Sequence, residues 1–102
     1  MDMRSLMKQA QQMQQRLADA REKLDQETAE ASTGGGMVTA VVNGKREVLS
    51  LKIKPEAVDP DDVEMLEDMI RGAINEAGRI VSERVSAEMG KLTGGMGLPG
   101  MF

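Results

Sequence analysis

The chain has 102 residues, enough for one small domain, and its 13 Lys and Arg against 17 Asp and Glu leave a net charge of −4. It has no Cys, His, Trp or Tyr, and its one aromatic residue is Phe102. Disulfides, thiol chemistry, imidazole bases and the soft ligands of a zinc site are thereby excluded, as is stacking of single-stranded bases on aromatic platforms.

No apolar run nears the roughly 18 residues of a membrane span, and the first residues lack the apolar stretch of a secretory leader. The expectation is a soluble cytoplasmic protein. Its core must come from Ala, Val, Leu, Ile and ten Met. Such a core is thin for a monomer of this size, so self-association is expected.

Met3, Leu6, Ala10, Met13, Leu17, Ala20 and Leu24 recur at 3-4-3-4-3-4 spacing. This is the seam of a coiled coil, held for about three heptads, and the intervening Gln, Lys, Arg, Ala and Glu favour helix. A first helix is predicted over Asp2–Gln26. Thr28–Thr33 (TAEAST) suits a weak strand or a linker, and the three glycines 34–36 break it. Met37–Val42 has strand composition. Asn43-Gly44 predicts a tight hairpin with positive φ at both residues. Glu47–Ile53 then alternates, with Val48, Ser50 and Lys52 on one face and Leu49, Leu51 and Ile53 on the other.

Asp59-Pro60 predicts the start of a second helix, with Asp59 as N-cap, Pro60 at the first helical position, and Asp61, Asp62 and Glu64 facing the positive end of the helix dipole. Val63, Leu66, Ile70, Ala73, Ala77 and Ile80 form its stripe, widened by Ile74, Val81 and Val85. The helix is predicted to end near Gly90. Residues 1–90 then form a single domain, and 91–102 a flexible glycine-rich tail, whose Leu98, Met101 and Phe102 could alternatively dock on another chain. Two helices this long should project past a small sheet, and their apolar stripes need a partner.

Charge is uneven along the chain. Residues 1–33 carry a net −1, residues 34–54 a net +3 and residues 55–102 a net −6. Within residues 1–18, Arg4, Lys8 and Arg16 stand against Asp2 alone. Arg4, Lys8, Gln11 and Gln15 fall on one side of the first helix, away from the seam. Cations there can contact phosphates, and glutamine amides can donate to phosphates or base edges. On residue chemistry alone the same face reads first as solvated helix. A second positive set, Lys45, Arg46, Lys52 and Lys54, reads either as a contact surface or as charge guarding an exposed strand edge.

The acidic run Asp59, Asp61, Asp62, Glu64, Glu67 and Asp68 lacks the glycine-centred spacing of a calcium loop, and helix capping accounts for it. The triple glycine is followed by no Gly-Lys-Ser/Thr, so it is not a phosphate-binding loop. No nucleophile–base pair is present. No catalytic site, metal, cofactor or small-molecule substrate is expected.

Three segments together resemble the YbaB/EbfC family of bacterial nucleoid-associated proteins: LMKQAQQMQQ (6–15), VVNG (41–44) running into IKP (53–55), and DDVEMLEDMIRGAINEA (61–77). The tail LPG (98–100) adds to the likeness. The resemblance implies an α+β fold of order α-β-β-β-α, with a three-stranded antiparallel sheet that makes Thr28–Thr33 the first strand. It implies an intertwined homodimer with two projecting helices as arms, which binds double-stranded DNA in the nucleoid and affects nucleoid organisation and gene expression. Carried over by position, Arg4, Lys8, Gln11, Gln15 and Arg16 become the candidate DNA contacts. Helix-flanked hairpins also occur in prefoldin-like chaperones, so a non-enzymatic coiled-coil interaction module is the alternative; it requires exposed apolar residues at the arm tip, such as Met3, Leu6 and Met7.

Overall fold

A computed structural model describes residues 2–94. Residues 95–102, most of the tail expected to be flexible, with Leu98, Met101 and Phe102 of the docking alternative, lie outside the described residues. The elements run α1 (Met3–Asp25), β1 (Thr28–Thr33), β2 (Val38–Asn43), β3 (Val48–Ile53), a 3-10 turn (Pro55–Ala57) and α2 (Val63–Gly94). The three strands form one antiparallel sheet in the order β1-β2-β3. The fold is therefore the α-β-β-β-α arrangement expected, and TAEAST is a strand.

α1 is capped by Asp2, whose carboxylate accepts the Ser5 N–H at 2.8 Å. Its last turn is closed by Glu27 N–H on the Leu24 carbonyl, 3.1 Å. α2 packs on one face of the sheet, over β1 and β2. Ala29, Val38, Ala40 and Val42 from the sheet meet Ala73, Ala77, Val81 and Val85 from the helix, and all are buried. Four of these eight are alanines, which lets the helix lie close to the strands. Two side chains tie α2 to the ends of β1. The Thr33 hydroxyl donates to the Met69 carbonyl at 2.7 Å, and the Arg84 guanidinium donates to the Thr28 carbonyl at 2.6 Å.

Leu24 completes the core from α1. Beyond Ala20, towards its N-terminus, α1 leaves the body. The molecule is 72 × 25 × 16 Å with a radius of gyration of 19.9 Å, against about 13 Å for a compact chain of this length. Along the free part of α1 the seam is uncovered: Met3 is 73% and Leu6 43% exposed.

Three expectations are corrected. α2 begins at Val63, not Pro60. The Asp59 carboxylate accepts the Asp61 N–H at 2.9 Å and its carbonyl the Asp62 N–H at 3.0 Å, closing a turn with Pro60 at its second position. Asp62 is the cap instead, accepting from Met65 N–H at 3.2 Å. Proline suits the second position of such a turn as well as it suits the first helical residue, so the sequence admitted both. At its other end α2 passes Gly90 and continues to Gly94. Met89 packs on the core and Leu92 faces Ala20 and Leu24 of α1, so contacts outweigh the roughly 1 kcal/mol that glycine loses in a helix.

The third correction is the β2–β3 turn. Asn43 is the last residue of β2, and neither Asn43 nor Gly44 has positive φ. Arg46 N–H donates to the Asn43 carbonyl at 2.9 Å, Asn43 N–H donates to the Glu47 carbonyl at 3.0 Å, and Arg46 has φ 66°. This is a three-residue loop with its left-handed residue last. A bulge at Val41/Val42 follows in the register with β3.

Candidate nucleic-acid interface

Arg4, Lys8, Gln11, Gln15 and Arg16 are all exposed on the free part of α1. The first four share one side over about 16 Å of helix, by the 1.5 Å rise per residue. Arg16 stands roughly 100° round the helix from them, on the face shared with Gln9 and Gln12. Gln15 is engaged along its own helix: its amide donates to the Asp19 carboxylate at 2.9 Å.

The second basic set does not form one patch. Lys45 and Arg46 stand in the β2–β3 loop, while Lys52 and Lys54 stand at the far end of β3, about 17 Å away by strand rise. Lys52 pairs with Thr39 on the sheet face away from α2. Lys54 N–H donates to the Met37 carbonyl at 2.9 Å, and its ammonium lies near Gly36.

Ion pairing divides the cations by element. On α2, Arg71 pairs with Asp68 at 2.6 Å, Arg79 with Glu76 and Glu83, Arg84 with Glu27 at 3.8 Å, and Lys91 with Glu88 at 3.2 Å. The hydrogen bond from Arg79 holds the Glu76 carboxyl below its ordinary value, and the two carboxylates raise the Arg79 guanidinium above its own. Every α2 cation is thus neutralised locally, and the remaining carboxylates make that helix a negative surface. By contrast Arg4, Lys8, Arg16, Lys23, Lys45, Arg46, Lys52 and Lys54 have no carboxylate within ion-pair distance among the described residues. A polyanion is therefore repelled along α2 and met by unpaired charge on α1 and the loops.

The acidic run at the start of α2 makes turn, cap and i,i+3 contacts, and among the described residues no three carboxylates converge as a metal site would need.

Sequence reasoning missed one cluster. An open groove of about 310 Å³ lies between the end of α1, the β2–β3 loop and α2. Arg21, Lys45, Arg46, Ser82 and Ser86 line it. The lysine and Arg46 were visible as charges, but their meeting with Arg21 and two serines depends on how α1 and α2 cross the loop, which no local pattern encodes.

The same architecture occurs in a crystal structure of an uncharacterized protein from Helicobacter pylori, with a TM-score of 0.75 over 90% of this chain and 97% of that one, at 24% identity. Closer in sequence are proteins named nucleoid-associated protein. One from Alkaliphilus metalliredigens is 54% identical over 101 residues, covering 99% of this chain and 89% of its own. One from Desulforamulus reducens is also 54% identical over 101 residues, covering 99% and 96%. Residues 1–96 match the profile of the YbaB/EbfC DNA-binding family. The chain belongs to that family.

Proposed function

We propose that the protein is a homodimer that binds double-stranded DNA through α1, acts at the nucleoid in the cytoplasm, and thereby affects nucleoid organisation and gene expression. The observation that carries this reading is the division of charge. Among the described residues, Arg4, Lys8 and Arg16 are exposed and without an ion-pair partner on a projecting helix, while every α2 cation is held by a carboxylate. Gln11 supplies a neutral amide between them, and Gln15 supplies another once it exchanges Asp19 for a nucleic-acid acceptor. The phosphate contacts make the binding salt-sensitive, because each cation seated on a phosphate releases a condensed counterion, and the overall −4 charge opposes the approach to DNA at low salt.

Titration of duplex DNA with the purified chain over a range of salt tests this. Arg4→Glu with Lys8→Glu is expected to abolish retardation at low salt while leaving the mass in solution unchanged. Undiminished affinity in that variant would remove α1 from the interface. The exposed Met3, Leu6 and Met7 at the arm tip also meet the requirement of a client-holding module. That second reading predicts suppression of aggregation of an unfolded protein, with no retardation of DNA.

A further inference from the structure

We propose that the groove at the root of α1 is a second contact for duplex DNA, and that it binds the phosphate backbone. The proposal rests on the DNA-binding reading above and adds a site on the body of the protein to the one on the arm.

In a chain with 17 acidic residues, no carboxylate lines this groove. Its side-chain donors are largely unused. The Lys45 ammonium, the Arg46 guanidinium and the Ser82 and Ser86 hydroxyls have no hydrogen-bond or ion-pair partner among the described residues. Arg21 is shared with Asp25, whose carboxylate lies 3.4 Å from Nε. The neighbouring Glu47 carboxylate is drawn aside by the Asn43 amide at 2.7 Å.

The loop that presents the two cations is stiff. The Asn43 side-chain oxygen accepts both Lys45 N–H at 3.0 Å and Glu47 N–H at 2.9 Å. Arg46 holds the left-handed position, where such loops take glycine and a side chain costs about 1 kcal/mol. Its guanidinium then lies against the backbone of α2 at Gly78, where a Cβ would fall 2.6 Å from Nη2. Glycine inside a helix costs roughly a further 1 kcal/mol relative to alanine. Two unfavourable local choices thus seat one guanidinium at the rim of the groove. Local rules are broken in this way where a side chain is used for binding.

Arginine, lysine and hydroxyl donors converging without a carboxylate are the chemistry of phosphate recognition. The groove is open along the surface, which suits a backbone crossing it better than an enclosed small anion.

The test compares three full-length proteins by fluorescence anisotropy on one duplex across a salt series: the wild type, Lys45→Ser with Arg46→Gly, and Arg4→Ser with Lys8→Ser. The groove variant is expected to keep its thermal midpoint, since glycine relieves the left-handed residue. Its affinity should fall roughly 8-fold per removed cation at about 0.1 M salt, with the log–log salt slope shallower by about 0.9 for each. Lys45→Ser alone alters only an exposed loop tip and carries the test if the double variant folds poorly. Unchanged affinity and slope in the groove variant, with loss in the arm variant, would overturn the groove and leave the proposed function standing. A wild type that ignores duplex DNA at every salt would overturn both. If millimolar inorganic phosphate raised the midpoint of the wild type but not of the groove variant, while duplex affinity stayed equal, the site would hold free phosphate and the duplex contact would be refuted.

Discussion

At the scale of single residues, the Asn43-Gly44 pair shows how a right element can rest on a different cause. The pair marks a hairpin, as its composition predicts, but Gly44 is needed for closeness and not for its φ. A Cβ on Gly44 would overlap the Leu24 carbonyl oxygen, part of the helix end that receives Gly44 N–H on the Asp25 carbonyl at 3.2 Å. The loop is thus pressed against the last turn of α1 and sets where the arm leaves the body. Gly44→Ala must displace backbone and not a flexible side chain, so it is expected to lower stability by about 3 kcal/mol. Lys45→Ala beside it should lie within about 0.5 kcal/mol of wild type. Urea denaturation of the two variants measures both, and equal midpoints would show that the α1 end yields freely. The positive φ predicted for Asn43-Gly44 belongs to Arg46, which no turn rule favours at that place.

At the scale of elements, periodicity made α1 and α2 legible: the apolar spacing of α2 follows the face it buries, and α1 keeps its heptad spacing although Leu24 is its one buried residue among those described. Leu51 and Ile53 also fall where alternation puts them, opposite Ala40 and Val38 on the α2 side of the sheet. β1 was legible as a strand only through family likeness, since its core-facing residues are Ala29, Ala31 and Thr33, whose small or polar side chains signal little burial. The start of α2 was ambiguous because two aspartates flank Pro60 within the same turn. The groove was not legible at all, being made by three elements far apart in sequence. The free part of α1 has a physical consequence of its own. Among the described residues, none of residues 3–16 joins or packs against a core cluster, and isolated helices of that length are marginal in water. Their amides are expected to exchange with solvent far faster than those of β2, and to slow when duplex DNA is added. Protection of that segment without DNA would mean that something else covers it. The cap adds a pH dependence. Hydrogen bonds from Ser5 hold the Asp2 carboxyl below its ordinary 3.8. Its contribution is therefore complete above the unfolded value and lost as pH falls through the lower, folded one. Helicity of α1 should fray below about pH 4, and an Asp2→Asn variant should lose that dependence.

At the scale of the whole molecule, the core is small and the uncovered apolar surface is large. The fully buried side chains are chiefly Ala and Val, with no aromatic residue among them. Burial stabilises by roughly 25 cal/mol per Å², so alanine-rich contacts add little each. Meanwhile Val48, Leu49, Leu51 and Ile53 leave between 36% and 54% of their surface in solvent along β3, the open edge of the sheet beside α2. An apolar row of this kind on a weakly cored body is the surface a second copy would cover. Were it covered, folding and association would be linked, and the thermal midpoint would fall on dilution as mass action requires, whereas that of a monomer would not move. Leu51→Lys separates the two cases. In a monomer position 51 is exposed enough for lysine to keep its ammonium in water, with little effect on stability. In a dimer the same ammonium is buried without a partner, so the variant should sediment at half the wild-type mass or unfold at a markedly lower temperature. A variant that keeps the wild-type mass and midpoint would move the interface elsewhere, and the seam of α1 would be the next surface to test. The outcome bears on DNA as well. Under the proposed function, two copies would double the unpaired arm cations available to one duplex, and a shared duplex would be held by both arms at once.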